Sequence, residues 1–399
     1  MRIAMVHNYY QVGGGEDESF RSEARLLQGA GHDVFTYTEH NGRVESLGLL
    51  RTAARTSWSG EAYKSVRSLL QENRCDVLHV QNFFPLASPS VYYAAHAAGV
   101  PVVQTLRNYR LLCCNATFFR DGRVCEDCLP KRALPWPGVA HACYRGSRPA
   151  SASVVAMMST HRALRTWGEK VDIYVALTEF ARGKFLEGGF PPGKVVVKPN
   201  FVHPDPGVGA HEGRFALFVG RLTQDKGVTT LLEAWRALGN RAESLSPVLR
   251  VVGDGPLAGM VREAATDTPG VEYMGRLGTQ EVYALMRDAA FLVLPSEWYE
   301  TFGRVAVEAV ASGAPVVASN IGAVAEVVED GVTGLRFVLG DPADLARKLE
   351  WAFDHPGELT CLGCAARREY EAKYTAERNY GLLMNIYGLA LERHSKVSP

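Results

Sequence analysis

No apolar run in this 399-residue chain is long enough to span a bilayer, cysteine is scarce at eight residues, and net charge is absent. The first absence leaves no helical membrane span to place. The second rules out a disulfide scaffold and points to a reducing, cytoplasmic setting. The third argues against a general nucleic-acid binder. Internal repeats of short period and low-complexity segments are also missing. With 47% hydrophobic and 22% charged residues, disorder, collagen and coiled coil are excluded. The start, MRIAMVHNYY, lacks a signal peptide's long apolar stretch and reads as a first strand entering a glycine turn.

What is present is a soluble chain of two or three domains, at about 100–200 residues each. The zero net charge hides an asymmetry. Residues 1–200 hold 24 Lys and Arg against 17 Asp and Glu, a net of +7, and residues 201–399 hold 19 against 26, a net of −7. Two lobes with different partners are expected.

Both halves alternate short β-rich runs with helical stretches, the rhythm of parallel sheets with crossover helices. Strands are expected at 2–7, 33–38, 76–81, 102–106, 173–178 and 195–199, then at 215–220, 248–252, 271–274, 290–295 and 316–319. Their near-continuous apolar character suits strands covered on both faces. Residues 1–202 are read as one Rossmann-like domain, 203–213 as a Pro- and Gly-rich hinge, and 214–374 as a second Rossmann-like domain. Residues 375–399 form a terminal helical segment with Leu382, Leu383, Ile386, Leu389 and Ala390 on one face. A long insertion, 107–149, interrupts the first domain and carries five of the eight cysteines. The fold class is α/β, two doubly wound lobes with ligands expected beyond the carboxyl ends of the strands, in a cleft between the lobes.

Four segments carry chemistry. Gly13-Gly14-Gly15-Glu16 follows the first strand and opens a helix, either to let a phosphate approach the backbone or simply to make a tight turn. Gly220-Arg221 and Lys226-Gly227 flank the turn after the first strand of the second half. A cation at a helix N-terminus opposes the macrodipole, so Lys226 suits an anion. With Arg221 it makes a diphosphate clamp, the alternative being surface salt bridges with Asp225 and a neighbour. Gly253-Asp254-Gly255-Pro256 resembles a dinucleotide fingerprint, but its third glycine comes one residue late, so it suits only part of a nucleotide. Glu308 lies in an apolar, buried helix at 305–311 and needs a partner, either a ribose diol or an arginine. Glu300, eight residues earlier, would serve the far end of the ligand.

With these segments, and with Thr105–Cys113, Lys198-Pro199-Asn200 and Gly331-Val332-Thr333-Gly334-Leu335, the chain resembles the retaining glycosyltransferases of family 4, the group 1 glycosyl transferases of GT-B fold. The resemblance implies a hexosyltransferase-like enzyme that moves a sugar from a nucleoside-diphosphate sugar, UDP- or GDP-linked, to a hydroxyl acceptor. The acceptor would be a glycan, a lipid-linked glycan or a natural product, as in polysaccharide biosynthesis. It implies Arg221 and Lys226 on the diphosphate in place of a catalytic metal, Glu308 on the ribose, and Glu300, Thr301, Phe302 and Gly303 on the donor sugar. Gly14, Gly15, Asn200, Gly220 and Asp254 complete the donor contacts, the first two from the other lobe, and the terminal helix returns to the first domain. Where many relatives have His-Asp-Tyr or His-Asn-Tyr, this chain has Arg107-Asn108-Tyr109. Arginine cannot shuttle a proton at neutral pH, which leaves Arg107 an electrostatic role toward a diphosphate or an anionic acceptor, or a surface role.

Two other activities compete: a GT-B sugar-nucleotide epimerase, and a Cys-rich, zinc-dependent nucleic-acid binder. Against the latter, no regular series of stacking aromatics accompanies the basic segment, so no nucleic-acid partner is expected. Residues 101–170 hold 11 Lys and Arg against four Asp and Glu. That balance fits an acidic or lipid-linked acceptor, peripheral contact with an anionic inner membrane face, or a solvated basic face. In the insertion, Cys125 and Cys128 have zinc-knuckle spacing, and Cys113 and Cys143 would complete a structural four-thiolate site. Two disulfides or unligated thiols are the alternatives. Cys361 and Cys364 are expected as small buried side chains.

Overall fold

The structure is a computed structural model that describes residues 1–129, 134–239 and 247–397. Part of the Cys-rich insertion, 130–133, and the last two residues of the terminal segment lie outside the described residues. The chain divides into two compact units: residues 1–118, 125–199 and 379–399 form the first, and 119–124 with 200–378 the second.

In the first unit β1 (Arg2–Tyr9), β2 (Asp33–His40), β3 (Val77–Val80) and β4 (Val102–Thr105) precede the insertion. Within the insertion, β5 (Phe119–Arg120) and β6 (Arg123–Val124) pair as a short antiparallel hairpin, and β7 (Ile173–Ala176) and β8 (Val195–Val197) follow. The sheet order is β2-β1-β3-β4-β7-β8, parallel throughout. Ile3, Met5, Val77, Val103, Ile173 and Val175 meet Phe20 and Leu27 of the helix Gly15–Gly29 and the terminal helix Ala376–Val397 in one core. That terminal helix buries Leu383, Ile386, Tyr387 and Ala390, while Leu389 is exposed, a correction to the expected face. Leu383, Ile386, Tyr387 and Ala390 make one regular stripe, and Leu389 lies about 110° round the helix from its centre.

The second unit holds β9 (Gly213–Val219), β10 (Val248–Val252), β11 (Val271–Gly275), β12 (Ala289–Leu294), β13 (Val316–Ser319) and β14 (Gly334–Phe337). Its order, β11-β10-β9-β12-β13-β14, is parallel throughout. Counted from β9 this is the doubly wound 3-2-1-4-5-6 arrangement, with strand order reversing between β9 and β12. Trp235, Phe218, Phe291 and Phe337 anchor its core. The segment expected as a hinge is bonded into this unit: Arg367 grips Asp205 at 2.8 and 2.7 Å, and the Gly209 amide donates to Ser312 O at 3.1 Å. Cys361 and Cys364 are exposed rather than buried. Leu359, Leu362 and Ala366 take the inward face of their helix, Pro356–Lys373. Among the described residues no helix is long and apolar enough to cross a membrane.

Candidate functional site

Open parallel sheets bind ligands where the strand order reverses, because the loops leaving the two central strands diverge there. In the second unit these are the loops after β9 and β12, and they contain Gly220–Gly227 and Pro295–Gly303. The loops approach one another so closely that glycine is required. A Cβ on Gly253 (φ 144°) would stand 1.8 Å from Gly220 O, and one on Gly227 (φ 69°) would stand 1.8 Å from Pro295 O. Thus the motifs after β9, β10 and β12 are brought together at one end of the sheet. Asp254, exposed there, uses its own carboxylate to accept from the Gly255 amide at 2.8 Å, and its carbonyl accepts from the Leu222 amide at 3.0 Å.

Arg221 is exposed and, among the described residues, has no carboxylate within ion-pair distance. The alternative pairing of Lys226 with Asp225 is not formed. Its Nζ instead donates to Glu300 Oε1 at 2.8 Å and lies 5.2 Å from the centre of the Trp298 ring. Ser296 Oγ donates to the same Glu300 oxygen at 2.5 Å. Burial alone would raise the Glu300 carboxyl, but Lys226 and Ser296 hold it below the usual carboxylate range. An ammonium has three donors, so Lys226 can keep Glu300 and still face an anion.

Glu308 is buried on the helix Arg304–Ala311, as its apolar neighbours require, and accepts from Arg304 Nε at 2.8 Å one turn away. The arginine partner is therefore the one seen, and a ribose diol would share or displace it. Phe302 is buried edge-on against Tyr374 at 5.9 Å, Thr301 is half-buried, and Gly303 caps the helix in a left-handed conformation (φ 78°). Asn200 is buried and belongs to this unit.

Gly14, Gly15 and Arg107 belong to the first unit. A Cβ on Gly14 would meet nothing within 4 Å, so the turn itself does not demand glycine, and what its absence leaves is open backbone. Arg107 is 5% exposed and is no surface residue: its Nε donates to Gln81 Oε1 at 2.7 Å, and its guanidinium lies 3.9 Å from Glu23. Glu23 also accepts from Lys198 Nζ at 2.9 Å and from Gln81 at 2.5 Å, and Lys198 donates on to Asn379 at 3.0 Å. His79 sits between Tyr387 OH at 2.8 Å and Thr105 Oγ1 at 2.7 Å. This buried polar network was missed from sequence. Glu23 shares a helix face with Phe20 and Leu27, and a carboxylate on an apolar face was the available signal.

The expected zinc ligands lie in the insertion, Cys113 buried and Cys125, Cys128 and Cys143 half-buried. Among the described residues no three His, Cys, Asp or Glu side chains stand where they could hold a metal ion, and no disulfide joins any of the eight cysteines. The Cys114 thiol is fully buried and aimed at Ser151 O at 3.7 Å, the Cys113 amide is tied to Tyr109 O at 2.8 Å, and the Cys125 amide to Phe118 O at 2.7 Å. Burial, with the neighbouring Cys113 and Cys143 thiols, pushes the Cys128 thiol up to about 12. Cys143 is half-buried, its amide held by Gly138 O at 2.9 Å.

Comparison with known proteins follows this geometry. The family model "Glycosyl transferase 4-like domain" matches residues 14–200, and "Glycosyl transferases group 1" matches residues 213–355. An uncharacterized glycosyltransferase of Methanocaldococcus jannaschii is 35% identical over 41% of this chain, and the match spans 45% of that relative's length. A phosphatidyl-myo-inositol mannosyltransferase of Mycobacterium leprae is 25% identical, with 100% of this chain and 99% of that one covered. The Anabaena protein HepE, solved in complex with UDP and glucose, has the same fold at a TM-score of 0.67 and 16% identity, over 96% of this chain and 98% of that one.

Proposed function

This chain belongs to the GT-B glycosyltransferases, and from that premise we propose that it moves a sugar, with retention of anomeric configuration, from a nucleoside-diphosphate sugar to a hydroxyl acceptor. The carrying observation is the pair of cations at the β9/β12 switch point, Arg221 without a carboxylate partner and Lys226 with donors to spare. They would bind the diphosphate and stabilise the charge that builds as the bond from the anomeric carbon to the diphosphate oxygen breaks, without a metal ion. The acceptor oxygen would attack on the face the leaving group departs from, its proton passing to a phosphate oxygen. Glu308 would take the ribose, and Glu300, Thr301, Phe302 and Gly303 the donor sugar. Asn200, Gly220 and Asp254 would complete the donor contacts. A UDP-linked donor is the first to try, since HepE of the same fold is solved with UDP. Transfer is favoured over epimerisation because the matched relatives are glycosyl- and mannosyltransferases.

The test is a thermal melt with UDP, GDP and ADP side by side. At 100 times its dissociation constant the cognate diphosphate is expected to stabilise the wild type by about 2.7 kcal/mol. Glu308→Ala is expected to lose that gain. A variant that shifts like the wild type removes Glu308 from the donor site. Anomer analysis of the product then separates retention from inversion.

A further inference from the structure

The first unit has its own cavity at the carboxyl ends of β3 and β4, of about 20 Å³. One water needs about 10–15 Å³ on that measure, so the cavity admits a small group such as a phosphate or carboxylate and not a whole sugar. Among the described residues Arg107 and Arg110 line it, and no carboxylate does. The remaining polar side chains are engaged with the protein. Gln81 bridges Glu23 and Arg107, Asn82 donates to Asn8 O at 2.8 Å, Gln104 accepts from Tyr92 OH at 2.6 Å, and Asn108 donates to Glu16 at 3.1 Å. Arg107 is charge-balanced by Glu23.

Arg110 differs. It is half-buried, its guanidinium lies 4.4 Å from the Phe84 ring centre and 4.9 Å from that of Tyr144, and one Nη1 bond to Cys114 O fixes its plane. Among the described residues no carboxylate lies within ion-pair distance of it, and its other N–H groups have no protein acceptor. The Phe84 and Tyr144 rings meet edge-to-face at 82°, so the guanidinium rests against both rather than stacking between them, and its remaining N–H donors match a phosphate or carboxylate. Arg145 stands 5.6 Å over the same Tyr144 ring and adds positive potential.

We propose that this cavity receives an anionic group of the acceptor, a phosphate or carboxylate, on the Arg110 guanidinium, so that the hydroxyl acceptor is a charged molecule rather than a neutral glycan end. The inference rests on the transfer reading above, and its test is independent of the donor. The background is Arg221→Ala/Lys226→Ala, which removes the second unit's cations, and the probes are inorganic phosphate, glucose 6-phosphate and glucose, titrated by calorimetry up to tens of millimolar. Vesicles of phosphatidylglycerol and of phosphatidylcholine form a second arm. Both phosphate probes are expected to bind and glucose to bind more weakly. Arg110→Met, which keeps the stacking bulk, is expected to weaken phosphate at least about tenfold, the loss of one charge-assisted pair. Arg110→Lys, which keeps charge without the fork, is expected to fall between the two. Arg110-dependent binding to phosphatidylglycerol vesicles would place the anion on a lipid headgroup, and binding only to the soluble probes on a free phosphorylated acceptor. Phosphate binding that is absent, or unchanged by both variants, overturns the proposal, while UDP stabilisation of the otherwise native chain reports separately on the donor reading.

Discussion

Lys226→Ala is expected to lower kcat for sugar transfer about 10²–10³-fold, the usual effect of removing one preorganised group that stabilises transition-state charge. The ammonium is fixed on Glu300 Oε1 at 2.8 Å and over Trp298, so it arrives at the switch point without further ordering. With Glu300 held as a carboxylate, the pair is a neutral unit, and on the proposed reading Lys226 would carry the developing charge together with Arg221 once a diphosphate is bound. Steady-state kinetics with the cognate donor check it. If Lys226 served only to neutralise Glu300, the variant would melt earlier and its kcat per folded molecule would stay within a few-fold of the wild type.

Lys198→Met is expected to destabilise the first unit by about 3–5 kcal/mol, because it strands a buried carboxylate. Burial would raise the Glu23 carboxyl, but Lys198, His79 and Arg107 together hold it down to about 2. Above the unfolded carboxylate range Glu23 therefore contributes stability, which is lost as pH falls toward 2. His79 works in the same direction. Burial holds its imidazole down to about 4, so the unfolded chain takes up a proton first, and about 3 kcal/mol drains away between pH 6.5 and 4. Urea melts at pH 7 and pH 4 check both statements. Wild type should weaken on acidification, and the gap to Lys198→Met should narrow, since Glu23 without its lysine accepts a proton more readily. An equal gap at both pH values contradicts the network.

Much of the fold was legible because its strands are buried on both faces. Val248–Val252 and Val316–Ser319 begin and end where their apolar runs do. β14 was missed as a strand because only two of the four residues of Gly334-Leu335-Arg336-Phe337 are apolar and it opens on a glycine, and the β5–β6 hairpin because each strand has two residues. At the candidate site, the buried position of Glu308 followed from its neighbours. Its arginine partner did not, since Arg304 sits outside the apolar run, at the helix start. The role of the insertion's cysteines was not legible for a different reason. Cysteine spacing is shared by metal ligands and by small buried side chains, and only packing distinguishes them, as around Cys114 and Gly138, where an added Cβ would lie 2.6 Å from Cys114 Cβ. Arg107 was read from a family position without its surroundings. Its partners Glu23 and Gln81 come from remote parts of the chain that the fold alone brings together.

The central claim is that a nucleoside diphosphate binds at the β9/β12 end of the second unit. Hydrogen exchange of the whole chain with and without UDP, GDP and ADP addresses it most directly. For at least one of the three, protection is expected to concentrate at residues 220–227 and 295–308, and to vanish there in Arg221→Ala/Lys226→Ala. Exchange that none of the three slows in those segments, or protection that survives the double variant, would contradict it.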